Sequence, residues 1–112
     1  MLLVRECYSL TSQLPVVEEF GLKSQMRRAA ISIPSNIAEG HTRHHTKEFL
    51  QFLATALGSL AELETQLELL KMLCFISEEA GEPLAAICQE AGKMLNGLRA
   101  ALYRHCAPNN SP

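Results

Sequence analysis

Basic side chains and histidines are the residues of this sequence that could do chemistry. Lys23, Arg27, Arg28, Arg43 and Lys47 fall between positions 23 and 47 against Glu39 alone, with His41, His44 and His45 in the same stretch. From Glu48 to Glu90 the balance reverses, and eight glutamates face Lys71 alone. Clustered Arg and Lys are what phosphate binding requires. Arg27, Arg28, Arg43, His44, His45 and Lys47 are therefore the candidate nucleic-acid-binding residues, and RNA is the expected class of partner. The same charges also fit a solvated surface with acid–base contacts between subunits, which would make the chain a protein-interaction scaffold without nucleic-acid binding. No interleaved aromatic residue suggests base stacking.

A second polar group is Pro34, Ser35, Asn36 and Glu39. Pro34 lies inside a helical pattern, where it removes the bond to the Ala30 carbonyl at a cost of about 3 kcal/mol in a regular helix. Ser32, Ser35 and Asn36 are near enough in sequence to bond freed backbone groups. Alternatively, Asn36 and Glu39, one turn apart, form a polar site beside the kink.

For catalysis, Arg99 and His105 are the one pair of suitable types, the histidine as acid–base and the arginine to steady a phosphate. Their spacing is similar to the Arg…His motif of the higher-eukaryote-and-prokaryote nucleotide-binding ribonucleases. However, Ala100 stands where that family favours a polar residue, and His105 falls near a helix end. The chain has no Asp, no Gly-rich phosphate loop and no nucleophile elbow. It is expected not to be an enzyme and to carry no cofactor. His41, His44 and His45 lack a one-face spacing with a carboxylate or thiolate partner, and Glu-x-x-His, H-E-x-x-H and C-x-x-C-H are absent, so no metal site is expected.

What must position these residues follows from size and periodicity. The chain has 112 residues, 47% apolar and 20% charged, with a net charge of −2. That is enough for one core and carries no global signature of polyanion or polycation binding. Arg5 and Glu6 interrupt the short apolar start, and no run reaches the length of a membrane span. A cytoplasmic protein without membrane contact is expected. Cys7, Cys74, Cys88 and Cys106 are far apart and read as small buried hydrophobes in a reducing compartment.

Apolar residues recur at helical spacing in four segments, and strand alternation is absent. Leu2 to Gln13 places Leu3, Cys7, Leu10 and then Leu14 on one face before Pro15. A second segment opens after Gly21, aligns Leu22, Met26, Ala29, Ala30, Ile33 and Ile37, and meets a stop at Gly40. A third starts at Thr46 as N-cap, with Glu48 in its first turn, and runs to about Cys74. A fourth carries Leu84, Ile87, Cys88, Ala91, Met94, Leu95, Leu98 and Leu102 on a single stripe, and begins either at a turn near Ser77 or with Pro83 at its first position. Short connections force antiparallel neighbours. The expected fold is all-α, an antiparallel up-down four-helix bundle over residues 1–106 with a shortened first helix and a disordered tail over 107–112.

The third segment is apolar over an arc of roughly 200°, about twice what one core needs. Either both neighbouring helices cover it or it forms a subunit interface. Leu50, Ala54, Leu57, Gly58 and Ala61 are the candidate oligomer contacts, the small residues allowing close approach.

Phe20 through Gly40, with Arg27-Arg28 and Ile33-Pro34-Ser35-Asn36-Ile37-Ala38-Glu39-Gly40, closely resembles the four-helix-bundle proteins of the 23S ribosomal RNA intervening-sequence family. The similarity continues through Lys47–Leu53 and Ala56–Leu67, and Met94–Leu98 resembles the last-helix signature. The resemblance implies a homo-oligomer, a ring-shaped pentamer. It also implies kinship with the accessory variability proteins of diversity-generating retroelements, which bind nucleic acid and a reverse transcriptase. It implies no established enzymatic activity. Arg27 and Arg28 match the family's Arg-Arg pair, and Arg43 with Lys47 falls in its basic turn. His44 and His45 stand where the family more often has Arg, Ser or Lys, which weakens the patch at neutral pH. The family's first helix usually begins about ten residues earlier, with a Trp-containing stretch that this chain lacks.

Overall fold

The structure is a computed structural model that describes residues 2–15 and 21–110, with side chains to residue 105. Four helices follow one another: α1 Leu2–Thr11, α2 Leu22–His41, α3 Thr46–Met72 and α4 Glu78–Asn110. Each helix packs on two neighbours, α1 on α2 and α4, and α3 on α2 and α4. This is the up-down bundle that the periodicity predicts, with α1 the short member. The molecule is 56 × 22 × 19 Å, its length set by α4, which at 1.5 Å per residue is about 50 Å long.

The predicted stripes form the core. Leu3, Cys7, Leu10 and Leu14 meet Met26, Ala29, Ala30 and Ile33, and these pack with Leu53, Ala56, Leu60, Leu63, Leu67 and Leu70 of α3 and Leu84, Cys88 and Leu95 of α4. Met94, expected on the apolar stripe of α4, is exposed, and Cys74 also differs from expectation. It is exposed and adopts φ 62° in the turn after α3, where the chain must reverse. Cys106 lies outside the described side chains.

Helix ends depart from the sequence reading in three places, and the open choice at the start of α4 falls to Ser77. Thr46 is the first helical residue rather than the cap; His45 takes the cap position with extended backbone and no side-chain cap bond. Gly40 is not a stop, since α2 continues to His41. Its lack of a Cβ serves close packing instead: an added methyl would meet Phe49 Cδ1 at 2.8 Å and Phe52 Cβ at 2.9 Å. Ser77 opens α4, its Oγ accepting the Ala80 N–H at 3.1 Å. Pro83 therefore sits inside the second turn, on an exposed position where water can serve the carbonyl it leaves free. Helical backbone also continues through 107–110, the stretch expected to be disordered.

The wide apolar arc of α3 is only half covered. Phe49 and Phe52 are half-buried on the α2 side, where Gly40 lets the two helices close. On the other flank Leu50 and Leu57 are half-buried, and Ala54, Gly58 and Ala61 are exposed with nothing within 4 Å of a Cβ at Gly58. No helix among the described residues is long and apolar enough to cross a membrane.

Candidate nucleic-acid interface

The α2–α3 turn exposes Arg43, His44, His45 and Lys47. It is a tight reversal, with the Thr42 N–H donating to the Glu39 carbonyl at 3.2 Å and the Arg43 N–H to the Gly40 carbonyl at 3.1 Å. Arg43 Nη2 donates to Glu39 Oε2 at 2.8 Å, and its guanidinium lies 4.9 Å over the Phe52 ring. His41 meets Phe49 edge-on at 5.9 Å. The two phenylalanines thus hold cationic and imidazole groups against the bundle surface, where Arg43 keeps part of its guanidinium in water.

The last turns of α4 reach the same end. Gly92 faces Leu60, and Gly81 faces Lys71 and Leu67. Continuing that antiparallel register sets Arg104 and His105 level with the start of α3, and Arg99 level with Leu53. Arg99 Nη2 donates to Asn96 Oδ1 at 2.7 Å. One pole of the bundle therefore gathers Arg43, Lys47, Arg99 and Arg104 with all four histidines of the chain, and its acids are Glu39 and Glu48. His41, Arg99, Arg104 and His105 were not in the sequence-derived set. Arg99, Arg104 and His105 join it through the return of α4, which no local spacing encodes.

Arg27 and Arg28 do not belong to this pole. They lie about 20 Å away along α2. Arg27 is engaged in the fold: Nε donates to Thr11 Oγ1 at 2.8 Å, Nη2 donates to the Tyr8 carbonyl at 3.2 Å, and the guanidinium lies 4.2 Å over the Tyr8 ring. Arg28 is exposed on a shallow polar groove that it shares with Gln25, Ser32, Ser59 and Glu62. The single basic face expected from sequence is thus two separate groups, because the helix axis carries the Arg pair away from the turn.

The residues at the α2 proline also serve the fold. Asn36 Nδ2 donates to the Ser32 carbonyl at 2.8 Å and to Ser32 Oγ at 2.9 Å, and Ser32 Oγ pairs with Ser59 Oγ across to α3 at 2.8 Å. Asn36 reaches the Ser32 carbonyl rather than that of Ala30. Glu39 turns the other way, to Arg43, and Ser35 is exposed. Pro34, Ser35, Asn36 and Glu39 therefore do not converge. Nor do Arg99 and His105, which six helical residues separate by about 120° around α4. Among the described residues, no group of three His, Cys, Asp or Glu side chains could hold a metal ion.

The described residues thus define a small all-α, up-down four-helix bundle with one basic, histidine-rich pole. The chain belongs to the family of 23S rRNA-intervening sequence proteins, whose model matches residues 1–97. Among solved structures it is similar to a protein of unknown function from the S23 ribosomal protein family of Bacteroides thetaiotaomicron VPI-5482. The TM-score is 0.76 at 28% identity, covering 88% of this chain and 91% of that one. No curated protein matches.

Proposed function

We infer that this protein is a non-enzymatic, cytoplasmic homo-oligomer that binds RNA through the pole formed by the α2–α3 turn and the C-terminal part of α4. The observation that carries this reading is the gathering of Arg43, Lys47, Arg99 and Arg104 at one end of a chain whose net charge is negative. Guanidinium and ammonium groups gathered at one pole suit the phosphates of a folded backbone. Assembly would use the uncovered flank of α3, Leu50, Ala54, Leu57, Gly58 and Ala61, and the family resemblance favours a pentamer. Repeating a weak basic pole around a ring raises its avidity.

The test is anisotropy with a fluorescent structured RNA. Arg43→Glu plus Lys47→Glu, and separately Arg99→Glu plus Arg104→Glu, should each weaken binding by tenfold or more, an effect of about 1.4 kcal/mol. If about four phosphates are contacted, raising salt from about 50 to about 200 mM should cost on the order of 100-fold in affinity. Absence of binding at low salt, or indifference to both double reversals, sinks the reading. Light scattering on Gly58→Leu tests the assembly part. Loss of the oligomer with retained helicity supports the α3 flank, and an unchanged mass removes it.

A further inference from the structure

The chain has four histidines, and the fold brings all four to the basic pole. His41 ends α2, His44 and His45 lie in the turn that follows, and His105 comes in late on α4. Each is exposed. His41 rests edge-on against Phe49 at 5.9 Å, and His45 occupies the cap position of α3 without a side-chain cap bond. Among the described residues no histidine pairs with a carboxylate. The imidazoles therefore stand in water beside the cations of the pole, with no partner of their own to fix their charge.

The charged groups around them come from three helices. α2 and the turn bring Glu39, held by Arg43 at 2.8 Å, α3 brings Lys47 and Glu48, and α4 brings Arg99, Arg104 and the Tyr103 phenol. α1 stands farther off. In the register that sets Thr11 beside Arg27, Arg5 and Glu6 lie level with Ile33 and Ser32, about 12 Å short of His41 along the bundle. Lys93 and Glu90 pair with each other at 3.7 Å, level with the middle of α3. Carboxylates ordinarily titrate at about pH 4 and phenols at about pH 10, so among these side chains imidazole is the group whose ordinary titration falls between about pH 5 and 8. With the imidazoles neutral, Arg43, Lys47, Arg99 and Arg104 stand against Glu39 and Glu48, a net of two positive charges; with all four protonated the pole carries six. The same four protons added to a net of −2 bring the whole chain to +2, so its long-range field turns from repelling a polyanion to attracting one. Each imidazolium also offers a second N–H to a phosphate oxygen.

We propose that RNA binding at this pole is switched by pH, strengthening in the mildly acidic range as His41, His44, His45 and His105 take up protons. The switch rests on the RNA-binding reading of the pole. Linkage gives its sign: a phosphate backbone that prefers the imidazolium form draws protons onto the protein as it binds, and by reciprocity protons tighten the binding.

Anisotropy with a fluorescent structured RNA should show binding about tenfold or more tighter at about pH 5.5 than at about pH 8. The slope of log affinity against log salt should steepen by about 1 to 3.5, as one to four imidazolium groups join phosphates at about 0.7–0.9 each. His41→Gln, His44→Gln, His45→Gln and His105→Gln together should bring the ratio of the two affinities close to one, and His44→Gln plus His45→Gln, a smaller change to the fold, should lower it part of the way. Calorimetry of the unaltered protein at about pH 6.5, in two buffers of different ionisation enthalpy, should report uptake of about one proton or more per chain as RNA binds. Equal RNA binding at the two pH values, a ratio that survives the fourfold replacement, or binding without proton uptake would overturn the switch and leave the RNA-binding reading in place. No RNA binding at either pH would overturn that reading, and the switch with it.

Discussion

Replacing Arg27 with alanine should loosen α1 from the bundle without touching the basic pole. Arg27 joins α2 to α1 through Thr11 Oγ1 at 2.8 Å, the Tyr8 carbonyl at 3.2 Å and the Tyr8 ring at 4.2 Å. Hydrogen bonds from a charged donor contribute about 1.5–3 kcal/mol, and partial exposure of this side chain argues for the lower end. An exposed cation–π contact adds about 0.5–1 kcal/mol. Thr11 keeps its own bond, donating to the Cys7 carbonyl at 2.7 Å, so no buried hydroxyl proton is stranded. The bond to the Tyr8 carbonyl is exposed and adds little, so the net loss is about 2 kcal/mol. Spread over an unfolding entropy of about 2.1 cal/mol/K per residue, that lowers the melting temperature by about 8 °C. It lowers the urea midpoint by about 1 M. Arg27→Lys should recover little of this, because an ammonium cannot supply the planar fork or stack on the ring in the same way. Thermal and urea denaturation followed by circular dichroism measure the effect, with RNA affinity measured on the same samples below the transition. An Arg27→Ala protein that melts with the parent yet loses RNA binding would refute the structural assignment and return this arginine to the binding surface.

Gly40→Ala should destabilise by about 1–3 kcal/mol, since the Phe52 Cβ at 2.9 Å cannot swing aside and overpacking outweighs the helix-propensity gain of about 1 kcal/mol. Gly97→Ala, with nothing within 4 Å, should instead stabilise by about 0.5–1 kcal/mol, and equal responses at the two glycines would contradict the packing argument. Burial pushes the Cys7 thiol up to about 11 against the lowering influence of Arg27, and pushes Cys88 up to about 12 with Glu64 and Cys7 adding to the rise. The unfolded thiols ionise near pH 8.5. The stability linked to these groups is therefore complete below that pH and is lost as pH rises through about 11 and then about 12. Stability measured from pH 8 upward should fall less steeply in the Cys7→Val plus Cys88→Val protein; an identical slope would disprove the linkage. At pH 8, iodoacetamide should label Cys74 while sparing Cys7 and Cys88 until denaturant is added. Gln66 is 4% exposed and its Oε1 has no hydrogen-bond partner among the described residues, so Gln66→Met should raise stability by about 1–2 kcal/mol, and a loss would reveal a polar partner for that oxygen.

The repeat of Leu3, Cys7, Leu10 and Leu14, the stripe from Met26 to Ile33, the seam from Leu53 to Leu70 and the row Leu84, Cys88, Leu95 all became core. These were legible because a helix that must hide one face writes that face into the sequence every three or four residues. Short connections then left antiparallel packing as the arrangement available. Helix ends were less legible, because capping residues signal only when their side chains bond the backbone. Ser77 does so, whereas Thr46 lies inside its helix behind His45.

The basic pole shows where local pattern stops. Arg43 and Lys47 could be placed by the turn they occupy, and their sequence neighbourhood suggested grouping them with Arg27 and Arg28. Tertiary structure divided that group, giving Arg27 to Thr11 and Tyr8 and bringing Arg99 and Arg104 to the turn from more than fifty residues away in sequence. It also decided that Gly40 serves the approach of Phe49 and Phe52. By itself, the sequence determined four amphipathic helices, which of their faces are buried and the family they belong to, since burial is a property of each helix and its period. Which distant polar groups meet depends on the register and spacing between helices, and those follow from side-chain packing across the whole core.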